Sequence, residues 1–318
     1  MKKLRIIFLY LMFSISVNFA YSQGCNDAGL CTMGDLDGQR TGNGDQYNTL
    51  LSYTFGLGEK QALVNTIQFE QRLNFAEDRL QIFLKVPFHY IYGDLGQAYG
   101  PGDLSAGINY TFYNKDQAGA SFMAAARLPV NNAKNTIDGK GAPMVYQTSL
   151  GTYDIAAGTS LFYGKWQFGL GYLKPFGSNG NYFYHAEWAY DRDALEYIEM
   201  SDLARGDDAM LRINRFFYTE KSRFNAGLLT LYRVQKDKVT QHGQRVELDQ
   251  SDGLTINLNL GYHRVLKNHD AITLSAAAPL ITRKVRADGL TRTFVLMLTY
   301  AFGQKKPSET ISPFNFGK

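Results

Sequence analysis

Gly253-Leu-Thr-Ile-Asn-Leu-Asn-Leu-Gly-Tyr-His-Arg264 is the stretch from which the rest of the chain can be read. Leu254, Ile256, Leu258, Leu260 and Tyr262 alternate with Thr255, Asn257, Asn259, Gly261 and His263. Successive side chains of a strand point to opposite faces, so this segment has one apolar wall and one polar wall. Residues 103–113 follow the same rule, with Leu104, Ala106, Ile108, Tyr110 and Phe112 set against Asp103, Ser105, Gly107, Asn109 and Thr111. Either strand alone would suit a soluble sandwich. The rhythm, however, returns in twelve segments: 47–57, 61–73, 80–91, 103–113, 118–129, 146–163, 166–176, 209–219, 223–235, 253–265, 271–282 and 291–303. The fold class expected is all-β, an antiparallel transmembrane β-barrel of about twelve strands.

The connections between these segments differ in length. Residues 76–79, 114–117, 164–165, 220–222 and 267–270 are tight and polar, whereas 93–102, 130–143, 177–208 and 236–252 are long. Short turns on one side and long loops on the other is the outer-membrane barrel pattern, with turns periplasmic and loops extracellular. An even strand count places both ends of the barrel on the periplasmic side.

The N-terminus supports export. Lys2, Lys3 and Arg5 precede an apolar run over residues 6–13, and small residues stand at Ala20 and Ser22, which makes residues 1–22 a secretory signal peptide. A lipoprotein would use Cys25 instead, but Ser22-Gln23-Gly24 lacks the aliphatic residue three before the cysteine. Cys25 and Cys31 are the chain's two cysteines. In an oxidising compartment they are expected to form a structural disulfide. Their spacing fits neither a C-x-x-C redox pair nor a zinc pair. The expected organisation is thus signal peptide 1–22, a disulfide-bearing segment 23–46 that plugs the lumen or leads into it, a barrel over 47–303 and a periplasmic tail over 304–318.

Composition narrows the class further. Without its three signal-peptide cations the chain carries 30 basic against 29 acidic residues, so it has no electrostatic footprint for nucleic acid. No segment approaches the roughly 18 uninterrupted apolar residues of a spanning helix. Aromatic residues make up 14% of the chain, 21 Tyr and 21 Phe against 2 Trp, enough to build girdles at two membrane interfaces. Phe294, Leu296, Leu298, Tyr300 and Phe302 share one face and end in Tyr-Ala-Phe. This looks like the aromatic-terminated signal read by barrel-assembly machinery, with a tail after it.

Two segments are ambiguous. Over 61–73 either Leu63, Ile67 and Phe69 or Val64, Thr66 and Gln68 could face outward, and over 224–234 Leu229 and Leu231 compete with Leu228 and Tyr232. A bulge would reconcile each. The segment 118–128 sets Ala118, Ala120, Ala124 and Ala126 around Phe122, a thin surface against lipid or against another protein.

Following the cleaner strands inward places Lys85, His89, Arg127, Asp154, Asn257, Asn259 and His263 in the lumen, joined by Glu70, Arg72 and Arg233. An Arg or Lys facing lipid at the midplane costs about 2–4 kcal/mol, so these charges must meet water or pair across the interior. They form either a selectivity lining, slightly cation-rich and favourable to anions, or a salt-bridged core that closes the barrel. In the longest loop, Leu195, Ile198 and Leu203 recur at roughly helical spacing between Asp193 and Gly206, which predicts a helix within an acidic loop. That helix would cap the pore, bridge divalent ions and lipopolysaccharide, or simply be solvated. Asp35-Leu-Asp37-Gly38 lacks the further ligands of a calcium loop. A hydrolase would need a hydroxyl and a histidine within reach. Ser160 and His263 both read inward, without the motif of an outer-membrane phospholipase or deacylase. No catalytic residue, cofactor or metal is assigned.

Pro101-Gly-Asp-Leu-Ser-Ala-Gly-Ile-Asn-Tyr-Thr-Phe112 and Ser149-Leu-Gly-Thr-Tyr-Asp-Ile-Ala-Ala-Gly-Thr-Ser160, followed by Gly164-Lys-Trp166, resemble the barrel proteins of the phenol meta-pathway group. That group is loosely related to the fatty-acid and aromatic-compound channels of Gram-negative bacteria. The processing site and cysteine loop also resemble exported proteins of Bacteroidetes. The resemblance implies uptake of small hydrophobic molecules. The chain is therefore expected to be a monomeric outer-membrane barrel moving a small molecule. Its expected partners are membrane lipid, lipopolysaccharide and the barrel-assembly machinery. The alternative is a closed docking barrel that binds a partner through its loops.

Overall fold

The computed structural model describes residues 46–76, 79–115, 117–219, 222–266, 270–289 and 293–305. The signal peptide, the Cys25–Cys31 pair, the segment before the barrel, the Asp35–Asp37 motif and the tail after Lys305 lie outside the described residues.

Twelve long strands form the wall: β1 (Gln46–Leu57), β2 (Leu63–Phe75), β3 (Leu80–Gly93), β4 (Leu104–Lys115), β5 (Ala118–Leu128), β6 (Tyr153–Tyr163), β7 (Trp166–Phe176), β8 (Asp208–Tyr218), β9 (Ser222–Arg233), β10 (Gly253–Val265), β11 (Ala271–Ile281) and β12 (Phe294–Lys305). Each pairs antiparallel with its neighbours in sequence, and β1 pairs with both β2 and β12, which closes the sheet. Closure leaves no edge, so every strand's backbone groups are satisfied within the wall.

The alternation read from sequence is the alternation of burial. On β2, Ile67, Phe69 and Leu73 are exposed while Thr66, Glu70 and Arg72 are buried. Around the barrel, Leu51, Phe88, Ile155, Leu170 and Leu260 continue the exposed apolar band. An apolar belt of this extent has lipid as its solvent. No helix among the described residues is long and apolar enough to cross a membrane.

Both ambiguous strands resolve without a bulge. Leu63, Ile67 and Phe69 face out of β2, and Leu228 and Tyr232 face out of β9, with regular register to their neighbours. Their competitors Val64, Leu229 and Leu231 are also apolar because the interior itself has apolar patches. Bulges occur instead at Thr111/Tyr113 between β4 and β5 and at Ile256/Asn257 between β10 and β11.

Other boundaries move. The segment expected to be a strand from residue 146 begins at Tyr153, because Met144–Tyr146 is a 3-10 turn whose apolar side chains enter a loop core. The loop expected over 93–102 contains the strand Gly96–Pro101, which folds back on β3. The wall also runs on to Lys305, two residues into the expected tail. The acidic loop holds no long helix. It has 3-10 turns at His185–Trp188 and Ala194–Glu196 and a short strand Met200–Ala204. Leu203 is buried with Met200 in a core shared between loops, on a short strand and not on a helix.

Candidate channel lumen and its mouth

Register places the inward side chains in rows that run across the strands. One row reads Glu70, Lys85, Ser105, Arg127, Asp154 on β2 to β6. Because strands of a closed barrel tilt, such a row climbs obliquely around the wall. Lys85 Nζ lies 3.4 Å from Glu70 Oε2, and Arg72 Nε donates to the other carboxylate oxygen. Arg127 Nη1 lies 3.4 Å from Asp154 Oδ2. The expected lumen set thus meets in two groups, Glu70 with Arg72 and Lys85, and Arg127 with Asp154.

The adjacent row on the turn side reads Arg72, Phe83, Gly107, Ala125, Ala156, Leu173. Phe83, Ala125, Ala156 and Leu173 join Met123, Met210, Leu229 and Leu231 in one buried apolar cluster. Gly107 is required there: a Cβ would stand 2.6 Å from the tip of the Phe83 ring and 2.8 Å from Ala125 Cβ. Hydroxyls also line the interior, on β1, β2, β11 and β12. Ser52 Oγ and Thr299 Oγ1 are 2.8 Å apart, Thr66 Oγ1 and His89 Nδ1 2.8 Å, and His263 Nδ1 and Thr273 Oγ1 3.0 Å. Asn257 and Asn259 face inward on β10, but Asn257 is only 1% exposed, so it does not stand in open water. Ser160 Oγ and His263 Nε2 have no hydrogen-bond partner among the described residues, so they do not form a nucleophile–base couple.

At the loop end the barrel mouth is filled from above. Tyr146, Phe183, Trp188 and Tyr197 of two long loops pack against Val64 and Ile91 of the wall. Tyr146 Oη accepts from Leu95 N at 3.2 Å, and Trp188 Nε1 donates to Gly141 O at 2.9 Å. Burial pushes the Tyr146 and Tyr197 phenols above their ordinary pKa. A second core, with Ala133, Met200, Leu203, Val239 and Ala287, joins four loops.

Ion pairs fasten these loops to the wall. Arg205 Nη2 donates to both oxygens of Asp154, at 2.6 and 2.5 Å, and to Thr152 Oγ1 at 3.0 Å. Arg233 Nε and Nη2 donate to Asp208 at 2.8 Å, and the same guanidinium reaches Asp237 at 2.6 Å and Asp288 at 3.1 Å. Arg283 Nη2 adds a 2.8 Å bond to Asp288. Asp103 accepts from Leu150 N at 2.9 Å and so anchors a further loop. Of these residues the sequence pointed to Arg127, Asp154 and Arg233. Arg205, Asp208, Asp237, Arg283 and Asp288 carry no periodic signal, since four of them stand on loops and Asp208 opens a strand. Two acids of the longest loop bond within the loop cluster, as Glu187 accepts from Gly141 N and Glu199 from His185 N, both at 2.8 Å.

No protein-family model matches the sequence, and neither does any curated protein. Among solved structures, an outer membrane channel from Pseudomonas putida F1 is 13% identical, with a TM-score of 0.55 and coverage of 81% of this chain and 94% of that one. The NanC porin is 8% identical over 81% of this chain and 100% of its own, with a TM-score of 0.45. The outer membrane protein OprD from Pseudomonas aeruginosa is 9% identical over 81% and 94%, with a TM-score of 0.33. At such identities the likeness concerns architecture. The fold is that of an outer-membrane barrel.

Proposed function

We propose that this barrel is an outer-membrane channel for a small molecule, with a preference for anions. The observation that carries the reading is the charge of the inner wall. Six cations face inward from the strands, Arg72, Lys85, Arg127, Arg212, Arg223 and Arg233, against Glu70, Asp154 and Asp208. The loops at the mouth add Arg205 and Arg283 with Asp103, Asp237 and Asp288, which leaves the excess at two positive charges. In a confined interior of low dielectric, such an excess raises the local concentration of anions. The apolar cluster around Phe83 beside this charged row suits a solute with an organic body, in keeping with the hydrophobic or aromatic molecules that the sequence resemblance implies.

The test is electrical. Refolded protein in a planar bilayer under a salt gradient should show a reversal potential of the sign for anion preference. Arg127→Gln should move it toward zero. A cation-preferring current would end the reading. Removing residues 24–45, or reducing Cys25 and Cys31, should raise the current if the segment before β1 plugs the lumen. Labels in residues 177–207 should be reachable on intact cells, and labels in 164–165 should not.

The apolar loop cores over the mouth favour a second reading, a docking barrel whose loops bind a partner while the lumen stays shut. A folded barrel with no current in any of these variants would select it. Lipid and lipopolysaccharide around the belt, and assembly machinery at β12, remain the proposed partners.

A further inference from the structure

We propose that Arg127 and Arg205, with Asp154 between them, form a carboxylate-binding site at the mouth, in which an incoming carboxylate takes the place of Asp154. This rests on the channel reading and adds the ligand class and the loop residue that meets it. Two guanidinium groups share one carboxylate here: Arg205 is bonded to both Asp154 oxygens, and Arg127 stands 3.4 Å away. The trio therefore carries one excess positive charge, and all three side chains are nine-tenths or more buried. Arg205 is also incompletely used. A guanidinium has five N–H donors, and its Nε and Nη1 have no hydrogen-bond partner among the described residues. Buried donors without acceptors are unfavourable, and the group that best answers a guanidinium is a carboxylate, with two acceptor oxygens and one negative charge.

Directly beside the site, Asp208, Asp237 and Asp288 surround Arg233 and Arg283, three carboxylates to two guanidinium groups, and Gly206, the residue after Arg205, donates to Asp237 Oδ1 at 2.8 Å. Arg205 belongs to the loop between β7 and β8, and its bonds to Asp154 and Thr152 tie that loop to the start of β6. A carboxylate that replaces Asp154 thus releases one of the loop's ties to the wall as it binds, while the apolar contacts to Val64 and Ile91 stay.

The experiment is calorimetry on the full chain in lipid nanodiscs, with benzoate as probe and benzamide as its uncharged counterpart. Wild type should bind benzoate and not benzamide. Asp154→Asn removes the internal competitor and should tighten benzoate about tenfold, while Arg205→Gln should weaken it by about tenfold or more. Asp249→Asn, the same charge change at an exposed loop residue, should leave affinity unchanged. Arg205→Lys keeps the charge without the planar fork and should fall between, which preserves the test if the Gln variant does not fold. Equal benzoate affinity in wild type and both Arg205 variants, or no gain in Asp154→Asn, would overturn the site. A conducting, anion-preferring barrel without Arg205-dependent binding keeps the channel and loses this site. Binding as expected in a barrel that passes no current keeps the site and loses the channel.

Discussion

At one end of the barrel β6 turns into β7 through residues 164–165 alone, while at the other β7 reaches β8 through residues 177–207. Inward positions in the turn half include neutral pairs beside the cations Arg72 and Arg223, as where Asn214 Nδ2 donates to Gln167 Oε1 at 2.8 Å on adjacent strands. Inward positions at the mouth hold ions, and their partners come from far along the chain: Arg233 meets Asp288 and Asp154 meets Arg205. The turn half is therefore specified by pairing of neighbouring strands. The mouth is specified by long-range charge matching laid over two apolar loop cores. Substitutions at the two ends should differ in size and in kind.

The largest expected difference is at Arg233. Arg233→Ala leaves Asp208, Asp237 and Asp288 without their shared counter-charge in a buried site, where breaking an ion pair typically costs about 3–5 kcal/mol. The matching change in the turn half, Gln167→Ala, leaves the buried Asn214 amide without its acceptor and should cost about 1–3 kcal/mol. Denaturant unfolding in lipid, followed together with hydrogen exchange in residues 234–252 and 282–289, would measure both. Similar losses at the two positions would mean that the mouth is held by its apolar cores and not by its ions.

A second pair tests the wall that both ends share. Ile67 faces lipid and Gln68, its neighbour on β2, faces the interior. Ile67→Arg should cost about 2–4 kcal/mol if it lies near the midplane, and Gln68→Arg clearly less. Equal costs would reverse the face assignment. Asn257 is less suited to this comparison, because it is packed in and an arginine would not find water there. Tyr146→Phe should have a smaller effect, about 1–3 kcal/mol, since it leaves the buried Leu95 N–H without its acceptor. That loss should appear as faster exchange in the loop over 94–103, with the strands unaffected.

The contrast between the ends also explains what could be read from sequence. All twelve strands were legible because each announces itself locally, through residues two apart that meet different solvents. The alternation of faces was legible for the same reason, yet Arg212 and Arg223 also face inward and were not read from it. What the inward residues touch was not legible. Nothing near Arg205 says that it closes on Asp154, 51 residues earlier. Met144, Val145 and Tyr146 read as a strand because an apolar run looks alike whether it faces lipid or a loop core. The expected helix after Asp193 failed similarly: Leu195 is exposed and Leu203 buried, which a helix using both on one face would not allow.

The smallest expected effect is a pH dependence confined to the mouth. Burial pushes the Asp237 carboxyl above its ordinary value, and Asp288 adds to the rise against the pull of Arg233 and Arg283. The loops packed over the mouth therefore hold this proton more tightly than the same loops once opened. Between the ordinary aspartate value of about 3.9 and the raised one, the closed form thus binds more protons than the open form. Stability of the closed lid should fall as pH rises through that window and level off above it. Gly206 reports on it directly, since its N–H donates to Asp237 Oδ1 at 2.8 Å. Exchange of that amide, corrected for the intrinsic dependence on pH, should be slowest on the acidic side, and Asp237→Asn should flatten the profile. The Gln167–Asn214 pair of the turn half has no ionisable group and should show no such slope. A slope of the opposite sign at Gly206 would mean that Asp237 is held as a carboxylate by its two arginines, and that the mouth closes through their attraction more than in spite of its crowded acids.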